Sequence, residues 1–395
     1  MAKYLLVILA FIALAAIWLR ADFALSAIYL LAGTLLVGSW WSQRALGSVE
    51  VRRTYSERMF YGEKSLIRLE VRNRGRLPIV WLQLRESVPV QVRVGGQFAR
   101  VFNLGSRGMR QLEYAIEGRQ RGYYELGPLD LRSGDLFGLA GEGHAIVGAD
   151  FLTVYPKIIP LTGVDLLSHS PLGSLRHHQP LFEDPSRVRG KRDYISGDSE
   201  RRIDWKASAS TGRLQVKLLE PSISLETVIF LNLNSEEYDL HTRGYTSELA
   251  IIVAASLANW VIAQRQAAGL LVNGIDPGLD SGKASLIPAR RGRAHLMRIL
   301  DVLARIQMGA TEPIDRVLAR EIVNLPWGTT LVLITGRLDE AVFDSLFQAR
   351  RQGLDVVLVP CGQLPGFNEA RRRAEYFGFS FYPIQDERDL DVWRG

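Results

Sequence analysis

The first 41 residues contain two long apolar runs with very little charge between them. One run extends from Tyr4 to Leu19, the short sequence Arg-Ala-Asp interrupts it, and a second run extends from Phe23 to Trp41. At about 1.5 Å per residue, each run is long enough as a helix to cross a bilayer. The pattern therefore predicts a transmembrane hairpin of two helices within residues 1–45.

The charges that flank these runs predict where the rest of the chain lies. Lys3 precedes the pair, Arg20 is the one Lys or Arg between the runs, and four arginines between residues 44 and 58 follow. Because positive flanks stay inside, we expect a multi-pass protein of the cell membrane with the bulk of its chain in the cytoplasm. A cleaved signal peptide over residues 1–21, followed by one stop-transfer helix, is the alternative and leaves the bulk on the same side.

Short stretches of alternating apolar and polar residues fill residues 47–156. Examples are "LIRLEVRNRG", "IVWLQLRESVPV", "RQLEYAIEGR" and "YYELGPLDLRSGD", with Gly, Pro and Asn at intervals of about ten residues. Alternation of this kind is typical of short antiparallel strands. It predicts a β-sandwich-like domain over residues 47–156.

The segment "RNRGRLP" reads as a turn inside this domain. Asn73 and Gly75 tolerate positive φ, and Pro78 opens the next strand. The turn is rich in arginine, which has two interpretations: the side chains touch anionic lipid headgroups, or they line a solvated strand edge. The arginines concerned are Arg72, Arg74 and Arg76.

Continuous apolar runs alternate with helical patterns in residues 221–395. "TVIFLNLN", "TTLVLIT" and "DVVLVP" lack polar alternation, as buried parallel strands do, whereas "SELAIIVAASLANWVIAQRQ" repeats apolar residues at helical spacing. This order predicts an α/β doubly wound domain. Ligands in such sheets bind beyond the carboxyl ends of the strands, an edge that we expect at residues 232–237, 335–338 and 361–363.

The most polar segment lies between these two domains, in residues 157–220. From Arg187 to Lys217 it holds nine Lys or Arg and four Asp or Glu. "ERRIDWKASAS" is compatible with a helix that ends at Thr211-Gly212, on which Trp205 packs inward beneath Arg201. Either ion pairs and Trp205 fix the angle between two domains, or the segment is a docking surface for a partner protein. The candidate binding residues are Arg192, Asp193, Tyr194, Gly197, Asp198, Arg201, Asp204, Trp205, Lys206 and Arg213.

Few residues suit catalysis, and we expect neither a catalytic residue nor a cofactor. Asp198 and Asp204 are the plausible carboxylates, but neighbouring cations pair with them and keep their pKa values low. A membrane-associated hydrolase that uses Asp198 or Asp204 is the alternative. Cys361 follows an apolar run, which predicts a buried thiol, and the pair His177-His178 lacks metal-ligand spacing. The charge surplus is local and interleaved with acids, which argues against nucleic acid as a partner.

Three motifs in order resemble the domain of unknown function 58 family. They are "RGYYELGPLDLRSGDLFGL", "VYPKIIPL" and "RDYISGDSERRIDWKASASTGRLQVKLLE". The resemblance implies a membrane hairpin, a β domain and a von Willebrand factor A-like α/β domain. It also implies a MoxR-type AAA+ ATPase and a transglutaminase-like membrane protein as companions.

A von Willebrand A domain normally holds Mg²⁺ through an Asp-x-Ser-x-Ser loop, a Thr and a further Asp, because this ion prefers anionic oxygen ligands. The resemblance places the first loop at residues 232–236 and implies a Thr-bearing loop at "ARRGRAHL", which offers Arg290, Arg291 and Arg293 instead. Glu236 and Glu237 are expected to be solvated carboxylates. The sequence therefore predicts a degenerate metal site, whose altered positions are Asn232, Asn234, Glu236 and Gly336.

Overall fold

The computed structural model describes residues 22–134, 143–161, 183–195, 203–221, 226–277, 285–364 and 366–394. The first predicted membrane segment and His177-His178 lie outside the described residues. The chain divides into two compact units, one of Met1–Lys157 with Leu303–Arg305, and one of Ile158–Val302 with Ile306–Gly395.

Ten strands and one long helix build the described part of the first unit. The strands form three sheets, ordered β1-β3-β6, β5-β4-β8-β9 and β2-β10-β7. The pairs are antiparallel except for β2 with β10. The elements are α1 (Asp22–Leu46), β1 (Val49–Thr54), β2 (Arg58–Met59), β3 (Lys64–Asn73), β4 (Ile79–Glu86), β5 (Phe98–Leu104), β6 (Met109–Glu117), β7 (Gly122–Leu126), β8 (Leu129–Ser133), β9 (Gly143–Val147) and β10 (Asp150–Val154).

Alternate residues of these strands bury one face in a shared hydrophobic core. Ile67 and Leu69 of β3 and Leu84 of β4 are fully buried, whereas Arg68 between the first two is exposed. The period of two that marked these stretches in the sequence therefore corresponds to a core face and a solvent face. The four alternating stretches quoted above coincide with β3, β4, β6, β7 and β8.

Helix α1 covers the second predicted membrane segment and ends inside this core. It packs against β4, β8 and β9, and its last residues, Ala45 and Leu46, belong to the core cluster. Farther up the helix, large apolar side chains are exposed, among them Tyr29 at 72% and Leu36 at 70%. One end of α1 is thus part of the β-rich unit, while much of its apolar surface lacks cover from the described residues.

The second unit contains a β-hairpin with a short helix, and then an α/β sheet. The hairpin consists of β11 (Glu183–Asp193), α2 (Trp205–Thr211) and β12 (Gln215–Pro221). The remaining elements are β13 (Glu226–Asn232), α3 (Arg243–Ala263), β14 (Ala267–Asn273), β15 (Ser285–Arg290), α4 (Arg293–Arg305), α5 (Ile314–Ile322), β16 (Thr330–Thr335), α6 (Glu340–Arg351), β17 (Asp355–Pro360), α7 (Phe367–Phe377) and β18 (Ser380–Phe381), with 3₁₀ turns at Ser235–Glu237 and Glu387–Arg394.

The six-stranded sheet has the order β15-β14-β13-β16-β17-β18. All its pairs are parallel except β14 with β15. From the central strand β13 the chain moves to β14 and β15 on one side, and then returns to β16 on the other. The strand order therefore reverses between β13 and β16, which is where open α/β sheets bind their ligands.

Both faces of this sheet are covered, which explains its continuous apolar runs. Phe230, Leu333 and Leu358 share a core cluster with α5, α6 and α7, while α3 packs against β13, β14 and β16. Helix α3 is long and apolar enough to cross a membrane, but 72% of its most apolar window is buried. In this fold α3 is a core helix of the α/β sheet.

Candidate functional site

The polar signature segment folds as a hairpin with a short helix between its strands. Strands β11 and β12 are antiparallel and place Asp193 opposite Gln215 and Lys191 opposite Lys217. Helix α2 ends at Gly212, which adopts a left-handed conformation with φ of 68° and donates its N–H to the Ser208 carbonyl. Glycine suits this position because other residues pay a steric penalty there, so the predicted end at Thr211-Gly212 is confirmed.

Asp204 fixes the start of helix α2 through three interactions. Its Oδ1 accepts a hydrogen bond from the Ala207 N–H at 3.1 Å, its Oδ2 pairs with Nζ of Lys191 at 2.9 Å, and its backbone N–H donates to the Gln215 carbonyl at 2.8 Å. The Lys191 hydrogen bond, followed by the Ala207 N–H, lowers the pKa of Asp204. This carboxylate is a helix cap and a weak base.

The hydroxyl of Ser208 attaches the helix to strand β12. It donates to the Asp204 carbonyl at 2.8 Å and accepts from the Gln215 N–H at 2.9 Å. The Ser208 hydroxyl therefore acts as a structural bridge between α2 and β12. The helix of seven residues is held against the hairpin at both its start and its middle.

Trp205, the first residue of α2, is 68% exposed, so the expectation that it packs inward is wrong. Asp204 caps the helix at that point and ends it towards the N-terminus. Arg201, the residue expected to stack on the indole, lies outside the described residues. The capped helix holds the indole in solvent.

The other candidate residues of the segment divide into three groups. Asp193 accepts a hydrogen bond from the Gln215 side chain and lies 3.9 Å from Arg213, and the Tyr194 N–H donates to the Leu214 carbonyl at 2.8 Å. Lys206 and Arg213 are exposed, and Arg192 is half-buried. Gly197 and Asp198 lie outside the described residues.

Two more apolar side chains are exposed where the hairpin strands end. Ile195 follows β11 and is 64% exposed, and Leu214 precedes β12 and is 46% exposed. The described hairpin residues 190–195 and 203–217 carry five Lys or Arg against two Asp. Trp205, Ile195 and Leu214, with the cations Lys206 and Arg213, form what we call the hairpin surface. Tryptophan and arginine are among the residues enriched in protein interfaces.

The second candidate site is a buried polar cluster at the carboxyl edge of the sheet, between β13 and β16. Nδ2 of Asn232 donates to Glu237 Oε2 at 2.7 Å and to Thr335 Oγ1 at 3.1 Å. Its Oδ1 accepts from the Asn234 N–H at 3.2 Å and from Asn273 Nδ2 at 3.0 Å. Since a backbone N–H can only donate, the bond from Asn234 fixes the amide orientation of Asn232. Its NH₂ group therefore faces the carboxylate.

Glu237 is buried in this cluster, so the expectation of a solvated carboxylate is wrong for it; Glu236 is exposed as expected. Oε1 of Glu237 accepts from Asn234 Nδ2 at 3.1 Å and from the Ile314 N–H at 3.0 Å. Burial raises the pKa of Glu237, and these hydrogen bonds oppose that rise. Both carboxylate oxygens are thus engaged by amide donors.

Tyr238 closes the edge next to Gly336. Its hydroxyl donates to the Asn232 carbonyl at 2.6 Å, and its ring lies so close that a Cβ on Gly336 would be 2.5 Å from Cδ1. A side chain at position 336, where the resemblance implies an Asp, therefore has no room. Cys361, whose N–H donates to the Thr335 carbonyl at 2.9 Å, is buried as predicted.

The expectation that "ARRGRAHL" forms the Thr-bearing loop of this edge is wrong. Strand β15 is antiparallel to β14 and places Arg290 beside Ala268, near the start of β14. The end of β15 therefore lies at the opposite edge of the sheet, and with it come Arg290, Arg291 and Arg293. The segment 309–314 lies at this edge instead: the Thr311 N–H approaches Asn234 Oδ1 at 3.5 Å, and the Thr311 hydroxyl is buried without a described partner.

Sequence reasoning did not identify Tyr238, Asn273 or Thr311 as members of this cluster. For Asn273 a signal existed, because it ends strand β14 in "LLVNG" just as Asn232 ends β13 in "IFLNL". The two residues are register partners in adjacent parallel strands. Nothing in the local pattern marks Tyr238 or Thr311.

The described residues of the second unit form a hairpin with an exposed indole, followed by an α/β sheet whose carboxyl edge is hydrogen-bonded. Residues 190–359 match the family described as "Protein of unknown function DUF58". The "Uncharacterized protein YeaD" of Bacillus subtilis (strain 168) is 25% identical over 287 residues, which cover 71% of this chain and 68% of YeaD.

Similarity to solved structures is weak. The CARDB domain of the PF1109 protein from Pyrococcus furiosus has a TM-score of 0.20 and 13% identity, covering 27% of this chain and 86% of that chain. Proximal thread matrix protein 1 from the mussel byssus has a TM-score of 0.33 and 12% identity, covering 43% and 46%. TM-scores this low support no inference.

Proposed function

We propose that this protein is a membrane-anchored, cytosolic adaptor that binds a partner protein through the hairpin surface. The observation that carries the proposal is the position of Trp205, which a capped and cross-bonded helix holds 68% exposed. An exposed indole on a rigid support fits the centre of a protein interface, since its large area is buried there with little loss of conformational entropy.

The partner's chemistry follows from the hairpin surface. Three exposed apolar side chains lie among five cationic residues of the same segment. A complementary partner presents an apolar pocket for the indole with acidic residues around it. The resemblance to the domain of unknown function 58 family makes a MoxR-type AAA+ ATPase the first candidate, with a transglutaminase-like membrane protein as a second companion.

Membrane anchorage rests on α1 and on the sequence that precedes it. The helix has 25 residues, about 37 Å at 1.5 Å per residue, and carries exposed apolar side chains between Tyr29 and Trp40. We propose that α1 crosses the cell membrane and that residues 4–19 supply a second crossing. The β-rich unit and the α/β unit then face the cytoplasm.

We further propose that the α/β unit is von Willebrand A-like with an edge that binds no metal ion. Among the described edge residues, the amide of Asn232 faces Glu237, and the ring of Tyr238 fills the space beside Gly336. To bind at this edge, a magnesium ion needs oxygen ligands where the amide NH₂ group and the tyrosine ring now lie. Recognition by the hairpin surface then takes the place of metal-dependent binding.

A photo-crosslinking experiment tests the adaptor function. A photoreactive amino acid replaces Lys206, the exposed neighbour of Trp205, in the full chain in liposomes, and the MoxR-type ATPase is added with and without nucleotide. We expect a crosslink to the ATPase from position 206 and none from the same amino acid at Tyr376, which is 85% exposed on α7. No crosslink from position 206 under any nucleotide condition contradicts the proposal.

The alternative, a membrane-associated hydrolase, has weaker support. Asp204 is committed to Lys191 and to the Ala207 N–H, and its pKa is lowered. A general base with a lowered pKa accepts a proton poorly at neutral pH. Asp198 lies outside the described residues, so the hydrolase hypothesis now depends on that residue.

A further inference from the structure

The end of the β-rich unit where α1 enters carries four arginines, which we call the basic collar: Arg44, Arg74, Arg76 and Arg107. We propose that the basic collar binds the anionic lipid headgroups of the cytosolic leaflet. This inference rests on the membrane anchorage proposed above. It adds a lipid specificity that anchorage by apolar helices does not supply.

The first observation is the contact between α1 and the arginine-rich turn. The indole Nε1 of Trp41 donates to the Pro78 carbonyl at 2.9 Å. Strand β4 begins at the next residue, so its start, with the turn that precedes it, lies at the level of Trp41. Arg76 is two residues before Pro78 and Arg44 is one turn after Trp41, and both are exposed.

The second observation is the hydrogen bonding that holds two turns together at this end. Asn73 is fully buried, and its Nδ2 donates to the Leu77 carbonyl at 2.8 Å and to the Gly105 carbonyl at 3.0 Å. The Arg107 N–H donates to the Gly75 carbonyl at 3.1 Å. The turn 73–78 and the turn 105–108 are thus one structure, which presents Arg74, Arg76 and Arg107 together.

The same structure is tied to the end of α1. The Ser48 hydroxyl, which follows the helix, lies 2.7 Å from the Ala45 carbonyl oxygen and 2.9 Å from Asn73 Oδ1 and shares its one proton between these two acceptors. The expected positive φ at Asn73 and Gly75 is absent; instead, a Cβ on Gly75 would be 2.6 Å from Ser48 Oγ. Glycine is therefore required for close packing, and this packing fixes the turns relative to the helix.

The third observation is where the apolar surface of α1 ends. Leu36, Val37 and Trp40 are exposed, whereas Trp41 is half-buried and Ala45 is buried in the domain. About 20 residues of helix cross the hydrocarbon core, and Trp prefers the interface. With α1 entering at Phe23, the cytosolic interface falls near Trp40 and Trp41, and hence at the collar.

The two turns of the basic collar carry a local excess of positive charge. The stretches 73–79 and 104–109 contain three arginines and no Asp or Glu. Arg74 shares its charge with Glu50, and Arg72 lies within β3 opposite Glu50, so Arg76, Arg107 and Arg44 contribute most. Each arginine held near an anionic surface shifts the association about fivefold. The headgroup interpretation of this turn is therefore favoured over a merely solvated strand edge.

The test uses the full chain in liposomes with a fluorescent label at Ser106→Cys, in the exposed turn between Gly105 and Arg107. Cys361 is buried, which raises the pKa of its thiol, so the label selects position 106. Two quenching lipids carry a nitroxide at the same acyl position near the headgroup, one on phosphatidylglycerol and one on phosphatidylcholine. We expect the anionic lipid to be enriched at the label about fivefold or more.

Two variants and a second label position sharpen the outcome. Arg44→Gln/Arg76→Gln/Arg107→Gln, the collar variant, removes the enrichment. Lys64→Gln/Arg93→Gln/Arg100→Gln, which makes the same charge change at the opposite end of the strands, retains it. A label at Gln91→Cys, also at that end, is not quenched by either lipid.

The two proposals fail differently. A chain that does not float with the liposomes overturns the membrane anchorage itself. A chain that floats but is quenched equally by both lipids, or whose enrichment survives the collar variant, overturns the lipid inference and leaves anchorage intact.

Discussion

Nδ2 of Asn232 donates a hydrogen bond of 2.7 Å to Oε2 of Glu237 at the carboxyl edge of the central sheet. The donor is an amide at the end of β13, and the acceptor is a buried carboxylate five residues later. The Asn232 amide thus donates to the carboxylate that would otherwise attract a cation. The protein's own groups occupy this edge of the sheet. For this reason we propose the hairpin surface, and not the sheet edge, as the binding site.

Asn232→Asp is predicted to open this edge to metal. The new carboxylate faces Glu237 without a donor between them, which costs about 3 kcal/mol of stability at neutral pH. Mg²⁺ is expected to restore part of that loss, since two carboxylates and Thr335 then supply oxygen ligands. Native-state hydrogen exchange of the β13 amides, with and without Mg²⁺, measures both effects.

The control for this variant is Asn368→Asp at the exposed start of α7, where an acid is harmless. It is expected to leave exchange unchanged. Wild-type β13 amides whose protection rises with millimolar Mg²⁺ contradict the closed edge.

Glu237→Gln is predicted to remove a pH dependence from the same amides. The pKa of Glu237 is raised by burial, so its contribution to stability is present below the pKa of the unfolded chain and is lost as pH rises through the folded value. The free energy of unfolding of wild type therefore falls relative to that of the variant as pH rises from the unfolded to the folded pKa of Glu237. Hydrogen exchange of the β13 amides over this pH range measures how stability changes with pH. The matched control is Glu236→Gln, because Glu236 is adjacent and exposed.

Gly336→Ala is predicted to destabilise the α/β unit by about 1–3 kcal/mol. The added Cβ meets the Tyr238 ring at 2.5 Å, and moving the ring breaks its 2.6 Å hydrogen bond to the Asn232 carbonyl. Gly244→Ala, where a Cβ meets nothing within 4 Å, is expected to be neutral or slightly stabilising. Equal effects of the two variants on β13 exchange argue against this packing.

Asp204→Ala is predicted to loosen helix α2 while the sheet is unaffected. The variant removes the Lys191 pair and the N-cap, so the Ala207 and Ser208 amides exchange faster. In wild type the pKa of Asp204 is lowered, so its contribution is present above the unfolded pKa and lost as pH falls through the folded value. Asp204→Asn, which still caps, is expected to retain more protection. Unchanged exchange in Asp204→Ala removes the capping role.

Periodicity was sufficient for the elements whose burial is symmetrical. The buried runs that end at Asn232 and Thr335 are central strands, and the segment ending at Ala263 is a core helix. These patterns are long, and both faces of a central strand must be apolar, so little else fits them. The strand ends also brought Asn232 and Thr335 together as expected.

Features that depend on pairing or on short segments were not predictable. "ASLIPA" reads as a strand in either direction, and only its antiparallel pairing with β14 moves Arg290 away from the ligand edge. Helix α2 has seven residues, too few for a periodic pattern to show which way Trp205 points. Glu237 is buried because the segment 309–314 folds over it, a contact 77 residues away in sequence.

The affinity of the full chain in liposomes for the MoxR-type ATPase tests the central claim most directly. Trp205→Ala is expected to weaken binding at least about 30-fold, as removal of a central interface indole does, while Tyr376→Ala leaves the affinity unchanged. Isothermal titration of wild type and both variants gives the three constants. Equal affinity of wild type and Trp205→Ala for the ATPase contradicts the account.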